Sequence, residues 1–153
     1  FTSQTWNGFE FTMFNNAGEL EGMLTSVSIN ATIEAQAGTT FANDLTLSLS
    51  TAPPGDPGVL QVGGWSSMGA TQRYTWANGA STEPGTVVSD TQVLSDPIDI
   101  SAHPVWIGNG WNSASAWGTW SGTITLHGVN LVPAPGALAL LGAGGVLAAR
   151  RRR

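Results

Sequence analysis

The chain has 153 residues, five basic and ten acidic side chains, no Lys and no Cys, and charged residues make up only 10% of it, far below the ~25% of an average soluble domain. One domain of ordinary size fits this length, and the low charge argues against a disordered acidic chain. The acidic balance argues against nucleic acid as a partner, and the absence of Cys excludes disulfides, Cys-ligated zinc, iron–sulfur clusters and thiol nucleophiles.

In chain order, the sequence opens on Phe1 without a Met, as a chain would after removal of a signal peptide. Phe9, Phe11 and Met13 then alternate with polar residues. So do Val27, Ile29, Ala31 and Ile33, and after them Leu45, Leu47 and Leu49. Val59, Leu60 and Val62 form a shorter apolar run. Val87–Leu94, Ile98–Ile100, Val105 with Ile107, and Ile124 with Leu126 follow. A period of two places each set on one strand face and leaves the intervening Thr and Ser toward water. The Pro/Gly-rich stretches Ala52–Gly58 and Ala77–Gly85 are surface loops between strands. No long amphipathic helix occurs within residues 1–131. These residues are expected to form one all-β domain, an antiparallel β-sandwich or jelly roll of about eight strands.

Candidate site residues are few. Trp106, Trp111, Trp117 and Trp120 crowd together, whereas Trp6, Trp65 and Trp76 are scattered. Flat aromatic faces beside Asn and Asp suit carbohydrate rings, and Trp111, between Gly110 and Asn112, is in the most loop-like context. Packing in the core or at strand ends is the plainer alternative for this group. Asp44 stands out among the acids as a carboxylate at a strand start, able to bind calcium or to accept backbone amides; a simple turn residue is the plainer alternative. Asp56, Asp90, Asp96 and Asp99 add loop oxygens, but no calcium-loop motif occurs. His103 and His127 lack a partner motif, and no metalloprotease, nucleophile-elbow, P-loop or dinucleotide fingerprint is present. Glu10, Glu19, Glu21 and Glu34 qualify as paired carboxylates by residue type alone. The chain is not expected to be an enzyme, and no cofactor other than calcium is indicated.

Charge is strongly segregated along the chain. Arg150, Arg151, Arg152 and Arg153 close it, and Arg73 is the one remaining basic residue, so residues 1–149 carry 1 − 10 = −9 and the last four +4. Before the arginines runs Gly136–Ala149, without a charged or polar side chain, and before that the stiff Val132-Pro133-Ala134-Pro135. As a helix the 14-residue run spans roughly 21 Å, short of the ~30 Å hydrocarbon core. The arginines fit a cytoplasmic end, with residues 1–132 outside. This order of Pro motif, apolar run and Arg block resembles the PEP-CTERM sorting tail, with Ala134 where the usual pattern has Glu. The resemblance covers about residues 132–153. It implies a short C-terminal hydrophobic helix, recognition by an exosortase-type membrane peptidase, and transient anchoring in the inner membrane of a Gram-negative-type bacterium. Cleavage near the Pro motif and a destination at the cell surface or in the matrix would follow, often alongside exopolysaccharide.

Leu24-Thr25-Ser26-Val27-Ser28-Ile29, then Asn43-Asp44-Leu45-Thr46-Leu47-Ser48-Leu49, then Trp117-Gly118-Thr119-Trp120 continuing to Leu126, are similar to the P domain of proprotein convertases. That likeness implies a jelly-roll sandwich over about residues 20–130. Together these readings predict an exported surface or matrix protein with a structural or adhesive sandwich. A carbohydrate-binding module, suggested by the Trp cluster, is one rival. A self-associating fibre subunit, suggested by long alternating strands with few edge charges, is the other.

Overall fold

The computed structural model describes residues 1–52 and 58–133. Among these, nine strands form: β1 (Gln4–Asn7), β2 (Phe11–Asn15), β3 (Leu20–Ala37), β4 (Leu45–Leu49), β5 (Leu60–Val62), β6 (Gln72–Tyr74), β7 (Val87–Asp99), β8 (Val105–Asn109) and β9 (Trp117–Leu131). They make two sheets, a four-stranded one in the order β1-β9-β3-β7 and a five-stranded one in the order β2-β8-β4-β5-β6. The expected all-β sandwich is therefore present. The C-terminal apolar run, Ala134, Pro135 and Arg150–Arg153 lie outside the described residues, as do residues 53–57 of the first predicted loop. No helix among the described residues is long and apolar enough to cross a membrane.

The spine of the first sheet is β3, paired with β9 on one side and β7 on the other. Its alternation is the predicted one: Val27, Ile29, Ala31 and Ile33 are all buried. Gly122 sits opposite Ala31 in β9, where a Cβ would run into the Asn30 carbonyl and the Ala31 backbone. In the second sheet Leu45, Leu47 and Leu49 of β4 face Asn109, Ile107 and Val105 of β8 across the ladder. The three leucines with Val105 and Ile107 close the core with Trp6, Trp120, Leu60, Val62 and Ile100. Trp6 and Trp120 lie 6.0 Å apart between ring centres, and Phe1 meets Trp6 edge-on at 5.9 Å.

Several expectations are corrected. Two strands were not expected, β1 of four residues and β6 of three, each too short to show a period. The β5–β6 pairing is parallel, so the second sheet is mixed rather than wholly antiparallel. The runs Val87–Leu94 and Ile98–Ile100 are one strand down to Asp99, with Pro97 tolerated because β7 is an edge strand. Phe11 and Met13 share the outward face of the second sheet with Gly108 and Trp106. The Phe11 ring lies close over Gly108, where a Cβ would strike it. Finally, Thr46, Ser48 and Gln61 point away from the core yet are buried. A segment from Gly63 to Met68 folds over them, held by Gln61: its Nε2 donates to the carbonyls of Gly63 (3.0 Å) and Ser66 (2.9 Å), and its Oε1 accepts from the Met68 amide (3.0 Å).

Candidate binding site

Three chain segments meet at the end of β4. The first is the 3-10 turn Ala42–Asp44 that leads into the strand. Within it the Phe41 amide donates to Asp44 Oδ2 (2.8 Å), and the Asp44 amide donates to the Phe41 carbonyl (3.1 Å). The second is the segment covering the outer face of the sheet. Gly63 and Gly64 both adopt left-handed backbone, at φ +87 and +74. A Cβ on Gly63 would strike the Trp76 indole, and one on Gly64 would strike Thr46 and Gly110. Only glycine permits that close approach, and it delivers Trp65 to the surface beside Asp44. The Gly64 amide donates to the Asn43 carbonyl (3.1 Å), tying the first two segments together. The third segment runs from Thr75 to Gly85. Trp76 Nε1 donates to the Leu45 carbonyl (2.8 Å), and the amides of Ala42 and Asn43 donate to Ser81 (3.0 Å) and Gly79 (3.2 Å).

These segments enclose a cavity of about 280 Å³ lined by Phe41, Asn43, Asp44, Trp65, Thr75 and Trp76, among others. Trp76 and Asp44 are buried, at 3% and 2% exposure, whereas Phe41 is 39% and Trp65 75% exposed. The cavity thus has an aromatic floor, an aromatic rim and one carboxyl. Burial pushes the Asp44 carboxyl up from 3.8 to about 6, against the pull of the Phe41 and Trp65 amides that hydrogen-bond to it. A carboxylate offers about four acceptor positions, so acceptor capacity remains beyond those two amides. A ring with one apolar face and polar substituents can stack on the indoles and reach the carboxyl.

The four clustered tryptophans do not form one platform. Trp120 is fully buried, and its Nε1 donates to the Ala42 carbonyl (3.0 Å). Trp106 lies on the outer face of the second sheet and donates to the Ser50 carbonyl (3.0 Å). Trp111 is a loop residue, as its context suggested, and donates to the Gly38 carbonyl (3.3 Å). Trp117 begins β9, opposite Asn7 and Ala37. Instead it is Trp65 and Trp76, read as scattered, that join Asp44. The Gly-Gly-Trp-Ser-Ser run at residues 63–67 carried the signal: a large aromatic displayed between loop-forming residues.

Several of the remaining candidates have hydrogen-bond partners of their own. Glu10 Oε2 accepts from the Asn7 amide (2.8 Å), and Glu19 Oε2 accepts from the Asn16 amide (2.8 Å). The Asn16 contacts hold the Glu19 carboxyl below its usual range. Asp99 accepts from the Ser101 hydroxyl (2.7 Å) and amide (3.0 Å) beside His103. His127 Nε2 lies 2.7 Å from Ser28 Oγ, which in turn lies 2.8 Å from Thr91 Oγ1. This chain spans three strands on the exposed outer face of the first sheet. Among the described residues no group of three or more His, Asp or Glu side chains could share a metal ion. Comparison with family models, with curated proteins and with solved structures returns no match.

Proposed function

We infer that this chain is an exported surface or extracellular-matrix protein, sorted through its C-terminal segment by an exosortase-type peptidase. Its β-sandwich serves as an adhesive module that holds a sugar ring of a glycan in the Phe41–Trp65–Trp76 cavity. One observation carries the binding half of this reading: an exposed indole and a buried one flank a buried carboxyl in a cavity of ring size. Such a mixture of apolar wall and convergent polar groups is the usual make-up of a small-ligand site. The sorting half rests on the sequence of residues 132–153, whose Pro motif, apolar run and Arg block resemble the PEP-CTERM tail. Catalysis has less support: Ser28 and His127 are close enough for proton transfer, but among the described residues they stand on an exposed sheet face, open to water.

Two measurements test the reading. Mass spectrometry of the mature C-terminus should find chains ending near Pro133–Pro135, and a mature chain ending at Arg153 removes the sorting half. Titration with a panel of oligosaccharides should change the Trp emission through Trp65, and an unchanged spectrum across the panel removes the binding half.

A further inference from the structure

We propose that the cavity selects an ammonium-bearing sugar, so that the glycan held by this module is one with free, protonated amino groups. This inference rests on the reading of the cavity as a sugar site and adds the charge of its ligand. Indole and phenyl faces carry negative potential and attract cations, and desolvated sites such as a cavity strengthen that attraction. Trp65, Trp76 and Phe41 line one space together with Asp44. Among the described residues no basic side chain lines the cavity. The neighbouring cation, Arg73 in β6, donates to the carbonyls of Gly64 (3.3 Å) and Trp65 (2.8 Å), which fix it outside the cavity lining with its charge intact. The other carboxylate close by is Asp90 of β7, which accepts from the Ala77 amide (2.8 Å) in the segment that follows Trp76. Asn43 and Thr75 complete the polar lining without charge. An acidic sugar would place like charges together in this space, whereas an ammonium is complementary both to the rings and to Asp44. The wider field agrees: one Arg faces ten acids across residues 1–149, so cationic polymers are drawn in and anionic ones repelled.

The test titrates the full chain, followed by Trp emission, with three probes: chitosan oligomers, the same oligomers fully N-acetylated, and tetramethylammonium chloride. The expected result is binding of the free-amine oligomers at least about tenfold tighter than of the acetylated ones, with tetramethylammonium competing. Tetramethylammonium does not titrate, so its own pH dependence reports the protein. Its affinity should rise roughly tenfold from about pH 5 to pH 7.5 as Asp44 ionises. Trp65→Ala, at an exposed position, should fold normally and lose binding. Asp44→Asn should abolish the pH dependence and the preference for free amine; if that variant melts early, the wild-type pH series still decides. Equal binding of the amino and acetylated oligomers overturns the ammonium proposal and leaves the sugar site standing. No binding of either oligomer overturns both.

Discussion

At the scale of the residue, Asp44 is an acid whose burial costs stability. Its carboxyl stands near 3.8 in the unfolded chain and about 6 in the folded one. Between those values the folded state binds the proton more tightly. The stabilisation is fully present below 3.8 and is lost as pH rises through about 6. At ~1.4 kcal/mol per unit the swing is on the order of 2–3 kcal/mol. Glu19, Glu34 and Asp99 run the other way, held low by hydrogen bonds, as does Asp90, where desolvation is outweighed by hydrogen bonds from Ala77, Gln92 and Thr91; their contribution is lost as the solution is acidified below the usual carboxylate range. Urea unfolding should therefore find the chain more stable near pH 5 than near pH 7.5, and Asp44→Asn should remove that slope. A wild-type midpoint that rises from pH 5 to pH 7.5 would contradict the burial of this carboxyl. Gln61 is the second residue whose removal reaches the site. It makes three hydrogen bonds to the segment that carries Trp65, and unsatisfied buried polar groups cost about 1–3 kcal/mol each. Gln61→Leu should lower stability by about 2–4 kcal/mol and weaken ligand binding, whereas Trp65→Ala should weaken binding with little change in stability. A denaturation curve for each variant beside its titration separates the two effects.

At the scale of the element, the edge of β7 is closed by side chains. Along its free side the Ser89 amide donates to Asn78 Oδ1 (2.9 Å), the Thr91 amide to Asp90 Oδ1 (2.8 Å) and the Ser95 amide to Tyr74 Oη (2.7 Å). Gln72 Nε2 donates to the Asp96 carbonyl (2.9 Å), and Pro97 has no amide to offer. A 13-residue edge left open would be a template for another strand. These contacts weigh against fibre growth through β7. The variant Gln72→Ala/Tyr74→Phe/Asn78→Ala should self-associate at lower concentration than the parent chain in sedimentation, and adding Val93→Pro should reverse it by removing another amide from the edge. Association unchanged in the triple variant would mean that the edge is blocked by something else. The caps from Asn78, Gln72 and Tyr74 were not legible in the sequence, because each joins β7 to a separate strand or loop. What was legible is what repeats locally. The Leu45–Leu47–Leu49 and Val27–Ile29–Ala31–Ile33 alternations each gave a core face. Phe11 and Met13 alternate just as clearly and face outward, since periodicity names a face but not its side. Asp44 could be singled out from its place before a strand. The cavity around it could not, because Phe41, Trp65 and Trp76 come from three segments that only the folded sheet brings together.

At the scale of the whole molecule, the two sheets lock the first strand to the last: β1 pairs with β9, and the Phe1 ammonium donates to the Gly122 carbonyl (2.9 Å). The charge is divided far more simply than the fold. Residues 1–149 carry one Arg against ten acids, and the only cluster of positive charge is Arg150–Arg153. If the tail is removed at the cell surface, a strongly acidic sandwich remains, and its long-range field falls off over a Debye length of about 8 Å at physiological salt. Two classes of polymer should then be distinguished by mechanism. A glycan with free amino groups should bind without metal, and its binding should weaken as salt is raised. A polyuronate should be held only where divalent cations bridge carboxylate to carboxylate, because direct contact sets like charges against each other. The chain with Arg150–Arg153 replaced by Ser isolates the sandwich from the tail. Co-sedimentation of that chain with a polyuronate should require millimolar calcium or magnesium and vanish on chelation, while co-sedimentation with chitosan should be indifferent to the chelator. Metal-independent pelleting with the polyuronate would show that the acidic surface does not govern which polymers this protein meets.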